Sequence, residues 1–275
     1  MAAAIMLKKF APLAIAGSFF TAGATALAAS SPAPESDGED HMREELGVNN
    51  FTTPSIQSVL TDLDRLKPIP FEFVQREIPQ AAYTNRAQLA LNFGALIADG
   101  FLIVAAENRT GIEKVGTALL KEAKVLGVGD YVTRHSQSLS ELAAHDHWSK
   151  LKDELIATQS DIEKAMIALH DEELAHLVSL GGWLRGLEMT SAILSKEYDP
   201  AKAAVLSKKE LADYFIERLE SLNPSLRRTK LIDEVFSRLQ QIREKIAADT
   251  PVGQTQADEI SELAKQANLV ITTPR

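Results

Sequence analysis

An all-α fold, a multi-helix bundle with an appended C-terminal helical hairpin, is predicted by three observations. None of the eleven prolines falls between Pro79 and Pro200, and proline is the residue that breaks helix interiors. Apolar residues through that stretch recur at helical spacing. No segment alternates apolar and polar residues convincingly enough for a strand.

The elements follow in order. Lys8 and Lys9 precede an uncharged, Ala-rich run over residues 11–28 that ends Ala26-Leu27-Ala28. This pattern predicts an export signal cleaved before Ala29. Residues 29–40 are small, polar and acidic and predict a disordered leader. Thr53-Pro54-Ser55 starts a helix near 55–66, which the Lys67-Pro68-Ile69-Pro70 segment ends. Helices are then expected near 82–107, 110–126, 130–146, 148–179 and 182–197, with Gly127-Val128-Gly129 and Gly181-Gly182 as breaks. Ser207 and Glu210 fit a capping box that opens a helix to about 222. Asn223-Pro224 starts the next, to about 248, and a last helix covers 255–268. Leu269 to Thr273 reads as a short extended piece. The expected division is a signal at 1–28, a leader at 29–40, a bundle at 41–200 and a C-terminal hairpin and tail at 201–275.

Composition limits the function. Removal of Lys8 and Lys9 from 29 basic residues leaves 27 against 38 acidic ones, −11 overall. Nucleic acid binding needs clustered Lys and Arg, so no nucleic-acid partner is expected. There is no cysteine, hence no disulfide, lipidated cysteine or thiolate metal site. The chain lacks a Gly-x-Ser-x-Gly elbow, a His-Glu-x-x-His pair and a Gly-rich phosphate loop. No cofactor is indicated.

The segment Ala87 to Ala106 is apolar on nearly every face. Such a helix is either the centre of a bundle or a membrane span. Asp99 decides for the bundle, since an Asp at mid-bilayer costs about 2.5–3.5 kcal/mol on insertion scales. After signal cleavage no membrane association is expected.

A few polar residues interrupt the apolar faces. Asn92 and Asp99 share one face of the central helix, and Arg185 and Glu188 lie three apart farther on. At about 100° per residue, Glu173 and His176 fall on the stripe of Leu151, Leu155, Ile162 and Leu169. An unsatisfied buried polar group costs about 1–3 kcal/mol. Asn92, Asp99, Glu173, His176, Arg185 and Glu188 are therefore expected to meet in the interior, Asp99 with Arg185 and His176 with Glu173 or Glu188. The cluster is either a structural network or a ligand pocket. Glu173 and His176 are also the candidate metal ligands, because Glu-x-x-His is the spacing of carboxylate-bridged di-iron bundles. Those sites use two such motifs, and this chain has one. The expectation is an exported, soluble, non-enzymatic binding or structural protein of the cell envelope. The alternative is a small-ligand or metal-binding bundle that uses the polar cluster.

Overall fold

The computed structural model of the chain describes residues 55–79, 81–246 and 251–275. The expected signal at 1–28, the leader at 29–40 and Thr53-Pro54 lie outside the described residues. Among the described residues there are eleven α-helices, one 3-10 turn and no strand, so the molecule is an all-α bundle.

α1 (Gln57–Arg65) and the single turn α2 (Phe71–Val74) lead through an extended segment to α3 (Arg86–Ala105). Asn85 caps α3, its side chain accepting from the Gln88 N–H at 3.0 Å. Every residue from Ala87 to Ala105 is buried. α3 is long and apolar enough to cross a membrane; here protein surrounds its whole circumference. It is followed by α4 (Arg109–Leu126), α5 (Gly129–Ala144) and α6 (Trp148–Ala168). Connections of two or three residues reverse the chain each time. α7 (Glu172–Lys196) then crosses α3, and a 3-10 turn (Ala203–Leu206), α8 (Lys209–Glu220), the short α9 (Pro224–Arg227), α10 (Lys230–Lys245) and α11 (Gln254–Thr272) complete the fold.

The break expected at Gly181-Gly182 does not occur. α7 runs straight through both glycines because they serve close packing. A Cβ at Gly181 would stand 1.9 Å from the Leu91 carbonyl oxygen, and one at Gly94 would stand 1.8 Å from that of Val178. Two backbones meet at that point, and no side chain fits between them. The break falls instead at Leu169–Asp171, where His170 adopts φ 57°. Glu173 and His176 are thereby moved off the α6 stripe into the first turns of α7.

Two smaller expectations are also corrected. Ser207 forms no capping box, since α8 begins at Lys209 and no side chain caps it. Leu269 to Thr272 is helical, because Ile260, Ala264, Ala267 and Ile271 continue one buried stripe along α11. Gln88 Nε2 donates to the carbonyls of Ile271 and Thr273 at 3.0 and 2.6 Å, and Tyr83 Oη donates to that of Thr272. The orphan carbonyls of the last turn are thus satisfied from the core. One apolar cluster extends from Ile56 to Ile271, so residues past 200 share the core of those before it.

Candidate functional site

Three charged residues of the expected cluster meet. Asp99 (3% exposed) accepts the Arg185 Nε–H at 2.7 Å. Arg185 (2% exposed) also donates from Nη2 to the Val74 carbonyl at 2.7 Å and places Nη1 2.9 Å from Glu188. Arg76, from the extended segment after α2, completes the group by donating from Nε to the second Asp99 oxygen at 2.8 Å. Burial opposes the Asp99 charge, but the Arg76 and Arg185 guanidiniums outweigh it and hold the carboxyl below its usual range. Both Asp99 oxygens accept a guanidinium N–H, Arg76 Nη2 and Glu188 Oε2 are held by ion pairing alone, and the result fastens the 75–79 segment across α3 and α7.

Asn92 is not part of that group. It donates from Nδ2 to Glu122 Oε1 on α4 at 2.7 Å. Asn92 is fully buried and Glu122 is 4% exposed. The other two oxygens, Asn92 Oδ1 and Glu122 Oε2, are buried without a donor. Burial pushes the Glu122 carboxyl up to about 7, against the Asn92 hydrogen bond and the positive charges of Lys121 and Arg76. A proton on Oε2 turns one of these orphaned acceptors into a donor.

Glu173 and His176 do not meet that network or each other's partners. Glu173 accepts the Asn223 backbone N–H at 2.5 Å, and His176 Nδ1 lies 3.1 Å from the Tyr214 hydroxyl. Burial, with Arg218 nearby, pushes His176 down to about 4, so it is neutral at pH 7. Both therefore anchor the α8–α9 region to α7. Among the described residues no group of three or more His, Asp or Glu side chains is arranged to hold a metal ion.

A second histidine, not expected as a site residue, is more unusual. His135 on α5 places Nδ1 2.9 Å from Glu154 and Nε2 3.2 Å from Asp161, both on α6. An imidazole whose two nitrogens both face carboxylates donates from both only as the imidazolium. Burial works against the charge, but the bonds to Glu154 and Asp161 prevail and raise the His135 pKa. Its signal in the sequence was only a Glu and an Asp seven apart on the next helix, which is common on any solvated face.

A hollow of about 620 Å³ lies among α3, α4, α5 and α6. Its walls are Phe93, Ile97 and Val104 of α3, Ile112 and Leu120 of α4, Leu139 of α5, and Leu155 and Ile162 of α6. The few polar groups are mainly Ser, Thr and Gln side chains, with Arg109 and Glu113 on α4. From Phe93 to Val104 the hollow follows about 16 Å of α3 at 1.5 Å per residue. It separates the main apolar core from a small satellite of Val104, Ala143 and Leu151. The exposed residues Gly116, Thr117 and Ser140 mark its mouth, between α4 and α5. A Cβ added at Gly116 would meet nothing within 4 Å. An apolar hollow of this size, with a few polar groups, has the dimensions and chemistry of a small-molecule site.

No family model, curated protein or solved structure matches this chain.

Proposed function

We propose that the protein is a non-enzymatic binding or carrier protein that holds a small apolar molecule in the hollow among α3–α6, and that it works beyond the cytoplasmic membrane after export. The observation that carries this reading is the hollow itself. Four helices leave about 620 Å³ unfilled between apolar side chains, where a structural bundle would close-pack. Its lining is mostly apolar, with Arg109 and Glu113 its charged residues, which suits an apolar ligand. The address rests on the sequence pattern of Lys8, Lys9, the apolar run and Ala26-Leu27-Ala28.

Expression of the full chain, followed by organic extraction and native mass spectrometry, tests the binding. A co-purified apolar molecule, and saturable one-to-one binding of the apolar probe N-phenyl-1-naphthylamine, are expected. Gly116→Leu should abolish probe binding by filling the mouth, while leaving the fold intact or slightly more stable. Binding that is absent in the parent, or equal in Gly116→Leu, would refute the reading. N-terminal sequencing of the exported protein should begin at Ala29.

A further inference from the structure

The α4–α5 hairpin covers the hollow and is joined to the rest of the bundle by its two ends, by polar ties, and by the apolar residues Ala123, Leu126, Val128 and Val132 near its tip, which any opening must withdraw from the core. Its two ends are short connections at 106–108 and 145–147. Each contains a non-glycine residue in the left-handed region, Glu107 at φ 54° and Asp146 at φ 57°. They lie together, since Arg109 Nη2 donates to the Ala144 carbonyl at 3.1 Å and to Asp146 Oδ2 at 2.5 Å. Farther along the hairpin, two polar ties reach outward: α4 to α3 through Glu122 and Asn92, and α5 to α6 through His135, Glu154 and Asp161. At 1.5 Å per residue these ties stand about 14–20 Å from the connections.

Both ties need a proton. In the Glu122–Asn92 pair, Glu122 Oε2 is buried with no donor, so an ionised Glu122 would leave negative charge on an unpaired oxygen in the interior, which the carboxylic acid avoids. His135 satisfies two carboxylates only as an imidazolium. We propose that the α4–α5 hairpin is a lid over the apolar hollow, hinged at 106–108 and 145–147, latched while Glu122 and His135 are protonated and released when they lose their protons. This rests on the reading of the hollow as the ligand site, whose uptake and release the lid would control.

The groups that bear on the latches act as follows. Around Glu122 are Asn92 of α3, Arg76 of the extended segment, Lys121 of α4 and Tyr83 of the loop before α3. The two cations favour the ionised acid, and burial, the largest effect, opposes it. Around His135 the carboxylates of Glu154 and Asp161 favour the imidazolium, and burial opposes it. Lys164 stands 3.9 Å from Asp161 and takes part of its charge. Both groups hold their protons more firmly in the closed state than in water. Raising the pH therefore drives opening, and closing takes up protons.

Amide hydrogen exchange on the full chain without ligand, at pH 5.5 and 8.5 and corrected for intrinsic rates, tests the lid. Exchange in α4 and α5 should speed up by roughly tenfold or more at pH 8.5, while α3 and α7 stay protected. The double variant Glu122→Gln with His135→Lys keeps a neutral hydrogen-bonding side chain and a permanent cation in the two places. Its α4–α5 exchange should not vary with pH. Equal protection of α4–α5 in the parent at both pH values would overturn the proposal, as would a variant that keeps the pH dependence. Because no ligand is present, a lid that opens on a protein that never binds the naphthylamine probe would refute the carrier reading alone. A carrier whose α4–α5 amides ignore pH would refute the lid alone.

Discussion

At the scale of single residues, the charges inside the bundle are held in pairs, and their value lies in completeness. Asp99 between Arg76 and Arg185 is the clearest case. Breaking a buried pair leaves an uncompensated charge and costs roughly 3–5 kcal/mol. Asp99→Asn should lower unfolding free energy by that amount in urea titrations, whereas Glu173→Gln at the surface of α7 should cost under about 1 kcal/mol. Equal losses would mean that the two carboxylates sit in equivalent surroundings, contrary to their burial. The meeting of Asp99 with Arg185 was legible from the sequence because both interrupt otherwise apolar helices and neither tolerates isolation. Arg76 was not legible, since it lies in an extended segment where no periodicity assigns a face. Glu122 and His135 were hidden for a related reason. They belong to amphipathic helices with many charges, and only the packing shows which of those charges turn inward.

At the scale of elements, the two long buried helices owe their crossing to absent side chains. Gly94 and Gly181 allow the backbones of α3 and α7 to touch. Gly181→Ala adds one methyl group where none fits and should destabilise by roughly 1–3 kcal/mol, despite alanine's better helix propensity. Gly116→Ala, which meets open space, should instead gain about 0.5–1 kcal/mol. Thermal melts of the two variants should therefore move in opposite directions; shifts of the same sign would sink the packing argument. Most helices were recoverable from apolar spacing and proline placement. The α6–α7 boundary was not. Glycine is read as a breaker, yet here the glycines lie within a helix and His170 takes the left-handed turn. Histidine enters that region more often than most residues, but nothing in the local sequence marks the spot.

At the scale of the whole molecule, titration divides the fold into parts with opposite responses to acid. Glu122 is raised from 4.5 to about 7, so its contribution to stability is complete below pH 4.5 and is lost as the pH rises through 7. His135, raised above 6.5, acts in the same direction. Half-buried Glu163, which Gln159 hydrogen-bonds, is also pushed up to about 7 by burial. His176 is lowered from 6.5 to about 4, so its contribution is complete above pH 6.5 and is lost as the pH falls through 4. Between about pH 4.5 and 6.5 the two raised acids outweigh His176, so stability should fall as the pH rises, by roughly 1.4 kcal/mol per pH unit. Glu122→Gln should raise stability at pH 8.5 by on the order of 2 kcal/mol and leave it nearly unchanged at pH 5. Denaturant midpoints at the two pH values check this, and a gain at pH 5 equal to that at pH 8.5 would refute it. Which helices pack together was not readable from the sequence: amphipathic stripes show that a face is covered and leave its partner open.

The fastening of α11 by Gln88 and Tyr83 has a consequence for synthesis. Those two side chains wait near the start of the central helix for carbonyls almost two hundred positions downstream. A ribosome that has made α3 through α10 has made a groove without its filling, with greasy surface still wet. The polypeptide therefore completes its native core only after Thr272 emerges.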